Sequence, residues 1–348
     1  MIGAIVLLVG FFSVKTFVDA GQFKTIEPHF NGSCEQIHGL EGPEDIVTTS
    51  DGKVFISSDP RRKILSESLS MYSHEKKDSL SNQGAIFYYD INNRKLKNLT
   101  SDLGFEFHPH GISIFETLTS TYLSAVNHTS KGHSIVLFEF KNNMLIFKKS
   151  IKDPMLISPN DIVLISEDEF YVTNDHGSKK MRGKLIEDYL QLSRSNVLHY
   201  DGQKFKIVVS NLQYANGVNI NKSKDKLYVS ESIGKKITIY DINTSTNDVS
   251  LFKTIDIDSG LDNIEVDLGG NLWIGSHPRM FDFIKHAKNE KNLSPSQVIM
   301  VSGQNYEVKE IFLNDGTSLS GSSVASYYNN NLLIGAVFED NFLHCVLE

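Results

Sequence analysis

Six times along the chain a polar pair runs into a short β-branched or apolar stretch, then a turn, then a second apolar run. The pairs and the anchors that follow them are Glu44-Asp45-Ile46, His110-Gly111-Ile112, Asn160-Asp161-Ile162, Asn216-Gly217-Val218, Asp262-Asn263-Ile264 and Ser322-Ser323-Val324. The second runs read as strands, as in Lys53-Val54-Phe55-Ile56-Ser57, Phe170-Tyr171-Val172-Thr173 and Leu272-Trp273-Ile274-Gly275. Each unit is therefore a hairpin, repeated. The anchors stand 46 to 66 residues apart, which leaves room for a four-stranded sheet and a variable loop. Six such sheets in a ring predict an all-β, six-bladed β-propeller with a central channel. The even spread of repeats predicts a single domain over residues 21–348.

In a propeller the innermost strand of each blade begins near the channel, so equivalent residues of the repeats face one another. Carboxylates and amides at such a hub are costly unless something pairs with them. Glu44, Asn160, Asn216, Asp262 and Asn263 offer five oxygen donors with two formal negative charges. A hard cation such as Ca²⁺ takes about 6 to 8 oxygens in irregular geometry, so open positions remain for water or substrate. Asp45 and Asp161 are expected to point the other way, because strand neighbours alternate faces. With a nearby backbone carbonyl they offer a second, more buried calcium site. The competing reading gives each Asn and Asp a plain turn role at a strand start.

His110 falls in the same ring but brings nitrogen, and His128 ends the hairpin partner strand of its blade. Two neighbouring imidazoles can share a proton and make one a general base near neutral pH. The alternative is zinc through His108-Pro109-His110, but zinc wants nitrogen or sulfur donors and the hub supplies oxygen. His133, His176 and His277 are further candidates. There is no Gly-x-Ser-x-Gly elbow, no phosphate-cradling glycine loop and no His-Glu-x-x-His, so serine-nucleophile chemistry loses its main support.

Two longer segments interrupt the repeat. Residues 60–84 read as a polar lid or insert. Residues 179–192 carry Met181, Leu185, Ile186, Tyr189 and Leu190 at helical spacing, and predict an amphipathic helix over the channel mouth that covers a blade edge, contacts a membrane or walls the substrate.

Residues 1–20 hold an apolar run and a small-residue cleavage pattern, and are expected to be a signal peptide or an uncleaved signal-anchor. The chain is then a secretory-pathway protein, extracellular or membrane-associated, or periplasmic in a bacterium. Its two cysteines, Cys34 and Cys345, stand near opposite ends. In that setting they suggest a disulfide that locks N-terminal to C-terminal strand pairing and closes the ring, the alternative being two buried thiols. Glycosylation sequons begin at Asn31, Asn98, Asn127, Asn221, Asn243 and Asn292, so the chain is a candidate glycoprotein, with Asn127 the poorest acceptor because it adjoins His128. The net charge of −8 and the lack of a basic stripe exclude a nucleic-acid surface.

With these residues in place the chain resembles the paraoxonases, secreted calcium-dependent lactonases and aryl esterases built on a six-bladed propeller. The resemblance runs from about Cys34 to the C-terminus. It rests on Gly42-Pro43-Glu44-Asp45, His108-Pro109-His110-Gly111-Ile112-Ser113, Val126-Asn127-His128, Thr173-Asn174-Asp175-His176, Leu261-Asp262-Asn263-Ile264 and Gly275-Ser276-His277-Pro278, in the family's order. It implies a catalytic calcium on Glu44, Asn160, Asn216, Asp262 and Asn263, and a structural calcium on Asp45, Asp161 and the Ile112 carbonyl. It also implies a His110–His128 dyad, a Cys34–Cys345 disulfide, and Asp175 and His277 in the active-site neighbourhood. Tyr214 and Ser323 complete the expected pocket. The expected reaction is calcium-dependent hydrolysis of a small lactone or aryl ester, with phosphotriester turnover as a side activity. Two other readings stay open: a membrane-anchored chaperone, which some nematode members of the family look like, and a gluconolactonase-type sugar lactonase. The helix over 179–192 is more basic than in the lipoprotein-bound members, and Ser276 stands where some members have a free cysteine.

Overall fold

The computed structural model describes residues 10, 14–69 and 82–348. Most of the apolar leader at residues 1–13, and residues 70–81 of the insert expected between Pro60 and Gly84, lie outside them.

Six antiparallel sheets form the expected ring. Their innermost strands are Pro43–Thr48, Pro109–Glu116, Pro159–Leu164, Ala215–Ile220, Gly260–Val266 and Ser322–Tyr328. Each of these touches the next, and the sixth touches the first. Blades one to four are continuous four-strand meanders, whereas the sixth takes its outermost strand, Gly32–His38, from the N-terminus. That strand pairs with Asn341–Leu347 and places Cys34 directly opposite Cys345, where the two are bonded. A shorter strand, His29–Phe30, adds to the outer edge of blade five.

The core lies between blades. Ile46, Val54 and Ile56 of blade one pack on Val324, Leu333 and Phe342 of blade six, all fully or almost fully buried. Such seams recur around the ring, for instance where Ile162 and Val172 of blade three meet Val126 and Ile135 of blade two.

All six inner strands carry a register irregularity at the polar pair. A bulge leaves one residue unpaired and re-aims its neighbours, and in every blade it falls at the polar pair. Hydroxyls on the second strands capture the freed backbone: Ser57 Oγ accepts from the Asp45 N–H, Thr173 Oγ1 from Asp161 and Ser230 Oγ from Gly217. The Thr173 and Ser230 hydroxyls then donate to the Asn216 and Asp262 carbonyls of the following blades, each at 2.6 Å.

Candidate active site and metal centre

The bulged pairs bury all five predicted donors of the first calcium at the starts of the inner strands. Glu44, Asn160, Asn216, Asp262 and Asn263 are each no more than 6% exposed. Their amide nitrogens are turned to protein acceptors: Asn263 Nδ2 donates to Glu44 Oε1 at 2.9 Å, Asn216 Nδ2 to Ser232 Oγ at 3.1 Å, and Asn160 Nδ2 to Asp175 Oδ2 at 3.4 Å. This leaves Glu44 Oε2 and the Oδ1 atoms of Asn160, Asn216 and Asn263 buried without a hydrogen-bond partner. An unsatisfied buried acceptor costs about 1–3 kcal/mol, and a hard cation that takes oxygen donors would satisfy all four. The residues fit calcium.

Asp45 and Asp161 directly follow two of these donors. Asp45 accepts N–H bonds from Ile46 and, across the blade seam, from Ile112 at 2.7 Å. Asp161 accepts from Ile162 and, across the next seam but one, from Val218, also at 2.7 Å. Burial, then the Glu44 charge, pushes Asp45 well above the usual carboxylate range. Burial and the Asp45 charge do the same to Asp161. Negative charge so concentrated is what a second cation would relieve. Sequence reasoning missed Glu265, which burial and then Asp45 also push well above its ordinary value. The signal was a carboxylate directly after an anchor, where the other blades carry Val47, Ser113, Val163, Asn219 and Ala325.

His110 Nε2 stands 3.4 Å from Glu44 Oε1, and its Nδ1 is 2.9 Å from His128 Nε2. Burial, reinforced by the neighbouring His110, holds His128 well below the usual imidazole range. His108 turns away instead, to Asp59 at 2.8 Å, so the His108–His110 pair assembles no zinc site. Asn127, buried and bonded to the His108 N–H, is closed to glycosylation.

At the rim, His176 bridges Asp175 Oδ1 at 2.6 Å and Asp188 Oδ1 at 2.9 Å. Burial works against its charge, but the bonds from Asp175 and Asp188 prevail and push it up to about 9. Burial would raise Asp175, but the His176 hydrogen bond and the Lys184 charge outweigh it and lower the group. Tyr214 packs on His176 at 4.9 Å between ring centres, with a backbone φ of 60° that a bulky residue rarely adopts. His277 bonds Asp262 Oδ2 through Nε2 at 2.9 Å, stacks on Phe283 at 3.9 Å, and keeps a buried, partnerless Nδ1. Ser323 is fully buried, its hydroxyl donated to the Glu44 carbonyl at 2.6 Å.

The mouth helix runs over Met181–Tyr189, but it is inverted relative to a blade cover. Its charged side faces the protein: Glu187 takes the Gly177 N–H and the Ser178 hydroxyl, Asp188 holds His176, and Lys184 bonds Ser158. Met181, Leu185, Ile186, Tyr189 and Leu190 are exposed. Short helices were expected at the mouth, and two of those among the described residues lie where the sequence reading placed none. Arg61–Leu69 opens the insert and fixes Arg61 to the Gly42 and Pro109 carbonyls, and Met280–Lys288 follows His277.

The arylesterase family model matches residues 39–347. The chain is 32% identical to chicken (Gallus gallus) serum paraoxonase/arylesterase 2, covering 93% of this chain and 91% of that protein. It is 32% identical to rabbit (Oryctolagus cuniculus) serum paraoxonase/lactonase 3, covering 94% and 92%. Among solved structures it is similar to a luciferin-regenerating enzyme, with a TM-score of 0.56, 12% identity, and 91% and 95% covered. A calcium-binding regucalcin from Agrobacterium tumefaciens gives 0.53 and 10%, with 92% and 96% covered. At those identities the likeness is one of fold, the propeller. The sequence matches go further, spanning nearly the whole of both partners, and by them the chain belongs to the arylesterase family, that of the serum paraoxonases.

Proposed function

We propose that the protein is a calcium-dependent hydrolase of lactones and aryl esters, with Glu44, Asn160, Asn216, Asp262 and Asn263 holding one ion and Asp45, Asp161 and the Ile112 carbonyl a second. The observation that carries this reading is the set of four partnerless buried oxygens beside a hydrogen-bonded histidine pair. Bound calcium would polarise an ester carbonyl and stabilise negative charge developing on its oxygen. His110 accepts the proton of an attacking water at Nε2, and His128, through its bond to His110 Nδ1, fixes the ring's orientation and tautomer. A lactone leaves as its hydroxy acid. Tyr214, Asp175 and His277 wall the substrate, and Ser323 holds the Glu44 backbone in place.

The test is hydrolysis of aliphatic lactones, gluconolactone, phenyl acetate and a phosphotriester by the purified protein, with calcium, after chelation, and after calcium is restored. Loss on chelation with recovery on re-addition is expected for the lactones and phenyl acetate. Activity on gluconolactone alone would turn the reading to a sugar lactonase, and no hydrolysis by a folded, calcium-loaded protein to an assembly role.

The apolar mouth favours a second partner, a lipid surface. Helical residues 14–19 are tied to the end of helix Met181–Tyr189, with Lys15 and Asp19 bonded to Gln191, and to helix Met280–Lys288, where the Phe17 ring packs tilted on Phe281. Val14 and Val18 of that segment and Leu185, Ile186 and Leu190 of the mouth helix region stay exposed. No helix among the described residues is long and apolar enough to cross a membrane. Binding of these exposed apolar side chains to a lipid surface is the reading, in keeping with secretion and the Cys34–Cys345 bond. Co-sedimentation with phosphatidylcholine vesicles, lost when Leu185 and Ile186 both become Glu, is the expected result; equal pelleting of both forms removes the reading.

A further inference from the structure

The histidine pair continues into a third ring. His128 Nδ1 lies 2.7 Å from His133 Nδ1, with the rings perpendicular and 4.7 Å apart. The two residues face each other across the ladder between Thr121–Thr129 and Gly132–Lys141, next to the turn that joins those strands. His133 also borders a cleft of about 470 Å³ with Lys131, Lys152, Asp153, Leu156 and Lys179. Three imidazoles thus run in hydrogen-bonded file to that cleft from His110, whose Nε2 stands 3.4 Å from Glu44 Oε1.

We propose that His133 is the outer member of a three-imidazole proton path that connects the inner histidines to the cleft. The proposal deepens the hydrolytic reading and rests on it.

A neutral imidazole has one N–H and one lone pair, so a file of three has a direction. In the starting direction His110 Nδ1–H donates to His128 Nε2, His128 Nδ1–H donates to His133 Nδ1, and His133 carries its proton on Nε2. As water attacks the ester carbonyl, its oxygen–carbon bond forms and its proton passes to His110 Nε2. His110 gives its Nδ1 proton to His128 Nε2, His128 gives its Nδ1 proton to His133 Nδ1, and His133 releases its Nε2 proton to water in the cleft. All three rings are neutral again with the file reversed. When the alkoxide leaves, His110 protonates it from Nε2, the transfers run backwards, and His133 takes a proton from the cleft. Ester and water have then become acid and alcohol, and the file has returned to its start. No imidazolium need stand beside a bound dication.

The charges around His133 suit this. Burial first, then Lys184, lowers it below the usual imidazole value, with Lys179 and His110 acting in the same sense and Asp175 against. A neutral ring conducts, whereas a permanently charged one would only hold its proton.

The test uses the full-length, calcium-loaded protein and two variants, His133→Ala and His133→Gln, with folding checked by circular dichroism. Gln keeps a hydrogen bond to His128 but cannot pass a proton. In weakly buffered solution, kcat for phenyl acetate is expected to fall roughly tenfold or more in both variants with KM little changed. Added imidazole should restore much of the rate to His133→Ala. A full rate in His133→Gln, or equal losses in both variants without rescue, would overturn the path and leave His133 a structural neighbour. If His133→Ala fails to fold, His133→Gln alone decides by its rate. Absence of hydrolysis in the unmutated protein strikes at the hydrolytic reading itself, so the two failures are distinguishable.

Discussion

Each donor of the candidate calcium centre is held by what its other atoms do. Asn263 orients Glu44 by donating to it, and Ser232 and Asp175 hold Asn216 and Asn160 so that their carbonyl oxygens stay free. Glu44→Gln removes a charge from a cluster whose two formal negatives do most of the work against a dication. Calcium affinity is expected to fall at least tenfold, read by chelator competition, and calcium is expected to raise the melting temperature of the variant less than that of the unmutated protein. An unchanged affinity would remove Glu44 from the ligand set. At the rim, His176 is raised to about 9, so its bonds contribute fully below about pH 6.5 and are lost as pH climbs through 9. The ring should titrate near 9 by NMR, with hydrogen exchange in Met181–Tyr189 quickening above that pH; titration near 6.5 would show that Asp175 and Asp188 do not hold it. At this scale the sequence was most legible where the repeat set residues side by side, as with Glu44 and Asp262. It was least legible where a partner arrives from another strand. His133 stood out as a candidate, but its contact with His128 depends on the register of a hairpin.

The polar pairs sit on bulges, and the second residues of the pairs run Asp45, Gly111, Asp161, Gly217, Asn263 and Ser323. Large and small alternate around most of this ring because there is no room for six side chains. A Cβ on Gly111 would lie 2.5 Å from the Asp161 Cα and 2.6 Å from its Oδ1, and one on Gly217 would lie 2.6 Å from the Ile264 nitrogen. Gly111→Ala must therefore displace the Asp161 backbone, at a cost of roughly 1–3 kcal/mol. Urea unfolding should show that loss, with weakened calcium binding beside it, and a neutral substitution would mean that the ring can widen. The helices show where periodicity stops informing. Met181–Tyr189 was readable as a helix, but its burial was reversed because Lys184, Glu187 and Asp188 have specific partners at the rim that no hydrophobic pattern encodes. Met280–Lys288 is of the same length and carries Met280, Phe283, Ile284 and Ala287 at helical spacing, so its signal was in the sequence and was passed over.

A propeller has no hydrophobic centre, so its stability is that of six seams and one closure. Five blade-to-blade seams join units adjacent in sequence, but the sixth must bring Ile46 and Val54 against Val324 and Leu333 from the far end of the chain. The strand Gly32–His38 and the Cys34–Cys345 bond make that closure covalent across a separation of 311 residues. The hub depends on it as well: Asn263 and Ser323 reach Glu44 only when blades five and six have met blade one. The closure was legible early, because two cysteines near opposite ends of a ring have one obvious use. Its link to the calcium centre was not, since Ser323 reads as a pocket residue until its bond to the Glu44 carbonyl is seen. The chain-entropy model assigns a loop of this length about 5–6 kcal/mol as an upper value. Cys345→Ser is therefore expected to lower unfolding stability by several kcal/mol. Because ring opening separates Glu44 from Asn263, the variant should bind calcium more weakly, and calcium should raise its melting temperature less than that of the unmutated protein. Melting curves of both forms, with calcium and with chelator, give the comparison. Equal calcium shifts in the two forms would show that the hub stays assembled without the bond, and that closure and metal centre are independent.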